Sequence, residues 1–455
     1  MGTETAQPPP SADARQGRPA GLPSRIPPPL VPLSFLAAAS LGLVACGVDF
    51  IVARGAGIPD PTTDPIVAAT HFAVLATLSM GVLGAMHQFT PVITGRPLLS
   101  IWLARATFLS WLAASWMLPI GIATEQVAVT AISGVFAALA ITLLIVNFIG
   151  PLSVRGKGAP VTGLRFALAG SVLTACLGVA FVGDRQGNWF DLTGNVDLTM
   201  GVIGLFGWLG LTYIAVAEKL WPMFFLAHVP GRHVAGRIAV WAVPTGVVLL
   251  APGLLLGVTG LAWGGAVVLA VGLGAHLASL VAYAHHRRRT ADLHLVFVVT
   301  SAMWLLAGAG LSLASALVMP HDYVYGVALV AAGLVAFGGW LLTALVGHAH
   351  KIVPFIVWSA LRGRGIKKKA DGTPLMFADL YDHRWAGIVY GLVTAGIAAL
   401  CLGFAASISI AIAIGGGLLA VTGICVAVNL SLIPIRLLRA LAADRLVPAE
   451  EPTTM

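Results

Sequence analysis

Apolar runs of about twenty residues recur along nearly the whole chain, and few architectures can absorb so many. Twelve fall near 29–53, 66–90, 100–124, 126–150, 161–183, 198–222, 234–257, 260–284, 295–317, 323–347, 385–408 and 409–433. At about 1.5 Å per residue, a helix of that length crosses the roughly 30 Å hydrocarbon core of a bilayer. Only 10% of the residues are charged, against about 25% in soluble domains, which excludes an ordinary soluble globule. The expected fold is all-α and integral to the membrane, with about twelve transmembrane helices. The 53 glycines suit helices packed backbone to backbone.

The net charge of +8 invites a nucleic-acid reading, but its placement argues against one. With a cytoplasmic N-terminus, all 26 Lys and Arg except Arg54 and Arg185 lie in or beside cytoplasmic segments. Asp60, Asp64, Glu125, Asp184, Asp191, Asp197 and Asp322 fall in outer loops or at their edges. That asymmetry reports topology: both termini cytoplasmic, in the cell's inner (plasma) membrane. The partner it implies is the lipid bilayer.

Residues 1–28, rich in Pro, Ala, Gly and Arg, read as a disordered cytoplasmic tail. The membrane domain covers 29–435, and 436–455 form a cytoplasmic C-terminal tail. The stretch "IPIRLLRALAADRL" (433–446) reads either as a helix lying on the membrane face or as a continuation of the twelfth span. Cys46, Cys176, Cys401 and Cys425 are far apart and form no CxxC, so neither a zinc site nor a disulfide framework is expected.

Three stretches share a shape: "LSMGVLGAMHQFTPVITGR" (78–96), "GWLGLTYIAVAEKLWPMFFLAHVPGR" (207–232) and "GWLLTALVGHAHKIVPFIVWSALRGR" (339–364). Their prolines, Pro91, Pro222 and Pro354, are separated by 131 residues (91 to 222) and 132 (222 to 354). The later two copies also share Gly-Trp before the proline (207–208, 339–340), Lys three residues before it (Lys219, Lys351) and Gly-Arg after it (231–232, 363–364). The first copy carries Gln88 where they carry Lys. These copies close the second, sixth and tenth spans, so the chain reads as three pseudo-repeated four-helix arcs, about 29–150, 161–284 and 295–433. Proline disfavours helix in the residue before it, so "KIVP" is expected to terminate a helix, with the lysine near its last carbonyls.

Four residues before each proline stand His87, Glu218 and His350. With Gln88, Lys219, Lys351 and His348 they would form a polar ring at the cytoplasmic mouth if the repeats surround one axis, and ionisable groups in spans are functional candidates. His348-x-His350 is a candidate metal pair, although residues two apart on a helix point to different sides.

Twelve spans in three arcs, with the wording "THFAVLATLSMGVLGAMHQFTPV", "GLFGWLGLTYIAVAEKLWPMFFLAH" and "VGHAHKIVPFIVW", resemble the heme-copper oxidase catalytic subunit, in a short single-subunit form. The resemblance spans about residues 30–435. It implies a low-spin heme held by histidines near the outer end of span 2 and on span 10. It further implies a second heme beside a copper held from spans 6 and 7. His71, twenty residues before Pro91, fits the span-2 heme ligand, and His321 is a second candidate beside span 10. The equivalent positions on spans 6 and 10 are Val202 and Leu334, and span 7 lacks a histidine pair. The resemblance therefore implies a heme at His71 without the copper–heme centre. Its roles would be electron transfer or oxygen- and nitric-oxide-related respiration beside other respiratory-chain membrane proteins. The alternatives are a proton, metal or small-solute transporter using the polar ring, or a non-catalytic assembly factor.

Overall fold

The computed structural model describes residues 27–55, 62–156, 158–187, 195–229, 234–363, 365–369, 372–380 and 382–442. The expected N-terminal tail, save its last two residues, lies outside these, as do Arg232, Arg364 and residues 443–455. Twelve helices among the described residues are long and apolar enough to cross a bilayer. They are α1 (Leu30–Ala53), α2 (Asp64–Thr94), α3 (Ile101–Ala123), α4 (Val127–Leu152), α5 (Ala159–Gly187) and α6 (Val196–Phe225). α7 (Val234–Leu255), α8 (Thr259–His285), α9 (Leu293–Val318), α10 (Tyr323–Gly363), α11 (His383–Ala405) and α12 (Ser409–Ala442) complete the set. The twelve expected spans are all present. Of the two readings of 433–446, continuation holds as far as the described chain goes: α12 is helical through Ala442.

α2, α6 and α10 are the inner helices. In their most apolar stretches 61%, 83% and 72% of residues are buried, against 17–56% in the other nine. α12 returns to pack along α1, so the last membrane helix lies against the first. That crossing is made by glycine: a Cβ on Gly47 would run into the Gly416 carbonyl, and one on Gly423 into the Ser40 carbonyl. Small residues let helix backbones approach where lipid offers no hydrophobic drive to associate.

The prolines do not end their helices, which corrects the expectation from sequence. Pro91, Pro222 and Pro354 lie inside α2, α6 and α10, which run on to Thr94, Phe225 and Gly363. An internal proline removes one N–H and so frees one carbonyl, four residues back; here these belong to His87, Glu218 and His350. Burial beyond the proline outweighs that loss: Ile93, Phe224, Phe225, Ile356 and Leu361 are all buried. α2 and α6 then stop in the same way, four residues on. Gly95 (φ 74°) and Leu226 (φ 50°) take the left-handed cap conformation and donate their N–H to the carbonyls of Pro91 and Pro222.

A second shared feature was invisible in the sequence. α2 and α6 each contain eight residues of π-helix, Phe72–Ser79 and Ile203–Gly210. Both begin nineteen residues before the proline (91−72 and 222−203). Trp208 Nε1 donates to Ser79 Oγ at 3.4 Å, tying the two stretches together. π-helical turns concentrate at functional positions. α10 has none.

Candidate functional site: an axial chamber and its histidines

Between α2, α6 and α10, with α1 at its edge, lies a largely apolar chamber with a cavity volume of about 70 Å³. The same four positions, counted back from the proline, line it from all three inner helices. Thirteen residues before stand Leu78, Leu209 and Leu341; nine before, Val82, Tyr213 and Leu345. Six before are Ala85, Val216 and His348, and two before are Phe89, Leu220 and Ile352. Steps of four, three and four keep one face of a helix pointed at a common seam. The chamber's polar groups are few: Gln88, Thr212, Tyr213 and His348.

The polar ring expected from sequence is not formed. Of its members only Gln88 and His348 line the chamber. Position −4 lies two residues, or about 200° of helix, from both −2 and −6, so it faces away from the seam. His87 turns outward, sandwiched by Phe35 of α1 and Phe148 of α4, each 5.1 Å away between ring centroids. Glu218 is buried against α7 and α8, where Tyr283 Oη donates to its Oε2 at 3.2 Å. Gly236 of α7 lies so close to this carboxylate that a Cβ would collide with it. Lys219 is exposed.

His350 stacks on Phe297 of α9, 6.0 Å between centroids, and lines a small pocket with Asp382 and Asn429. Its ring and that of His348 therefore point to different neighbours, and the metal pair His348-x-His350 does not assemble. Lys351 caps no terminal carbonyl; its Nζ is 2.7 Å from Asp292 Oδ2, and its side chain is 7% exposed.

What sequence reasoning missed is His294, at the start of α9. The structure buries it against His348, with ring centroids 4.7 Å apart and planes at 79°. Phe224 lies 5.2 Å from His294 and Tyr213 5.8 Å from His348. His71, His87, His348 and His350 each hold Nδ1 against the carbonyl four residues back, at 2.7–2.8 Å. A carbonyl only accepts, so Nδ1 carries the proton and Nε2 keeps its lone pair. Nε2 of His87, His348 and His350, and both nitrogens of His294, are buried without a hydrogen bond to the protein. Leaving a buried polar atom unpaired costs about 1–3 kcal/mol. The signal for His294 was antiparallel adjacency: α9 begins where the proline end of α10 lies, so "DLH" and "GHAHK" meet.

The heme that the resemblance implies can be tested against these side chains. His71 offers one nitrogen in the required tautomer, with Nδ1 fixed on the Val67 carbonyl at 2.7 Å. The matching level on α10 is Leu334, which faces Gly201 of α6. On α6 it is the buried Val202. His321 sits in the exposed turn between α9 and α10, thirteen residues before Leu334, and does not fold back toward that level. α1 presses onto α2 just inside His71, where Gly42 meets the Ala76 carbonyl. These residues fit attachment through His71 alone and do not fit a heme held from both helices. α6 and α7 carry no histidine for a copper–heme pair. Among the described residues no group of three or more His, Cys, Asp or Glu converges on one point.

Helices and chamber together define a multi-pass integral membrane protein. No known protein family matches the chain, and no curated protein is similar to it.

Proposed function

We propose that this chain follows the plan of the heme-copper oxidase catalytic subunit without its oxygen-reducing centre. In this reading three four-helix arcs surround the chamber, in the plasma membrane with both termini cytoplasmic. The working site handles a small gaseous or redox-active ligand, such as oxygen or nitric oxide, beside other respiratory-chain membrane proteins. The observation that carries it is the repeat of four chamber-lining positions at one register on α2, α6 and α10, a pseudo-threefold seam of the kind three arcs would create. His71 would hold a heme without a second histidine, and such a group would supply one-electron or gas-binding chemistry when bound. The Val67 carbonyl fixes the His71 tautomer.

The test is a reduced-minus-oxidised optical spectrum of the purified protein beside a His71→Ala variant, both made in heme-replete cells. A heme signal present in the wild type and lost in the variant is expected. Its absence from both would remove the heme and leave the scaffold without redox chemistry.

A second reading, a transporter for protons or a small solute, draws on the chamber's polar groups, Gln88, Thr212, Tyr213 and His348. If it holds, proteoliposomes should carry a proton or solute flux that a bulky Ala349→Trp substitution in the chamber wall blocks. Flux unchanged by that substitution would place any pathway outside the chamber.

A further inference from the structure

The turn between α8 and α9 and the hairpin between α10 and α11 both lie at the proline end of the bundle. Each carries a triplet of cations, Arg287-Arg288-Arg289 and Lys367-Lys368-Lys369. In both, the third residue is the anchor. Arg289 stands 3.9 Å from Asp292 Oδ2 and 5.6 Å from the centroid of the Phe377 ring. Lys369 Nζ lies 3.4 Å from Asp379 Oδ1. Phe377 and Asp379 share the one-turn helix Phe377–Leu380, so a single turn of chain ties the two triplets together. That turn is fixed on α10: Phe377 packs 6.3 Å from Trp358, whose Nε1 donates to the Leu375 carbonyl at 2.6 Å. The α8–α9 turn is fixed on α6, where the Phe225 carbonyl accepts from the N–H groups of Arg288 and Arg289 at 3.2 and 3.4 Å. The first two cations of each triplet, Arg287, Arg288, Lys367 and Lys368, are exposed and form no ion pair among the described residues.

What lies beside these cations decides the partner. α8 packs along α7 and α9 along α10, and the two are not packed along each other although they are consecutive in the chain. Val281, four residues before the end of α8, and Val296, the fourth residue of α9, are exposed. Apolar surface therefore begins about 6 Å, roughly one helical turn, inside the arginine turn. An acidic protein or a free anion would use the charge and leave that apolar surface uncovered, whereas a lipid uses both. We propose that Arg287, Arg288, Lys367 and Lys368 hold the headgroup of an anionic phospholipid whose acyl chains lie on α8 and α9. Basic residues at a membrane face attract anionic lipid individually; here the fold gathers four of them at one point.

The experiment titrates the full-length protein in detergent with dioctanoyl phosphatidylglycerol, and with dioctanoyl phosphatidylcholine and glycerol phosphate for comparison. Bound ligand is read by native mass spectrometry. Saturable binding of phosphatidylglycerol in preference to phosphatidylcholine is expected, and glycerol phosphate, which has the charge without the chains, should not displace it. Arg287→Gln/Arg288→Gln/Lys367→Gln/Lys368→Gln should weaken binding by about a hundredfold or more, at about fivefold per cation. Arg96→Gln/Arg105→Gln, which removes exposed charge elsewhere at the same end of the bundle, should leave it unchanged. Phe377→Ala keeps every charge and should weaken binding by about fivefold or more, one cation's share, because it releases one triplet from the other. Phe377→Tyr, which keeps the ring under Arg289, should retain binding. The proposal is overturned if phosphatidylglycerol is not preferred, if glycerol phosphate displaces it, or if the fourfold variant binds it as the wild type does. Full binding by Phe377→Ala would overturn the assembled site in favour of diffuse surface charge.

Discussion

Replacing Asp292 with alanine is expected to destabilise the protein by about 3–5 kcal/mol, measured by thermal or denaturant unfolding in detergent. The carboxylate lies 2.7 Å from Lys351 Nζ, and the lysine side chain is buried inside the proline end of α10. Removing the acid strands an ammonium that has given up its water, and this residual charge, more than the lost attraction, sets the penalty. Asp292 also caps α9, accepting from Leu295 N at 3.2 Å, a contact worth about 1 kcal/mol. Asp292→Asn separates the two contributions, because the amide oxygen can still cap. Adding Lys351→Met to Asp292→Ala is expected to recover most of the loss, since both charges leave together. If Asp292→Ala unfolds within about 0.5 kcal/mol of the wild type, the range of a neutral surface change, the buried pair is not formed.

The second large effect concerns the α1–α12 crossing. Gly416→Val is expected to cost about 3 kcal/mol or more, the upper range for overpacking. A Cβ there would meet the Gly47 carbonyl, the Phe50 Cβ and the Ile51 backbone, and a backbone cannot swing aside as a side chain can. Its neighbour provides the control. At Gly417 the nearest atom to a new Cβ is Ile51 Cδ1 at 3.9 Å, so Gly417→Val should stay within about 1 kcal/mol of the wild type. Equal losses at both positions would mean that helix propensity, not the crossing, governs this face.

Much of this was legible in the residues. Run length and charge scarcity called for twelve membrane helices because a bilayer leaves a backbone few other ways to satisfy its hydrogen bonds. The 131- and 132-residue spacing marked α2, α6 and α10 as equivalent, and these became the inner helices. The prolines misled because the local rule is a backbone preference, and burial of Phe224, Phe225 and Ile356 beyond them overrides it. The ring misled because it took the ionisable residues of each repeat as the inward set. Helical phase assigns that role to positions −13, −9, −6 and −2, which are nearly all apolar.

The sequence by itself determined the class of protein and the number of spans, since these follow from hydropathy and length within one segment. Only the tertiary structure decided which imidazoles meet. His348 and His350 are two residues apart and are turned by helix geometry to opposite neighbours. His294 and His348 are 54 residues apart (348−294) and are brought into contact because antiparallel helices place the start of one beside the end of the next.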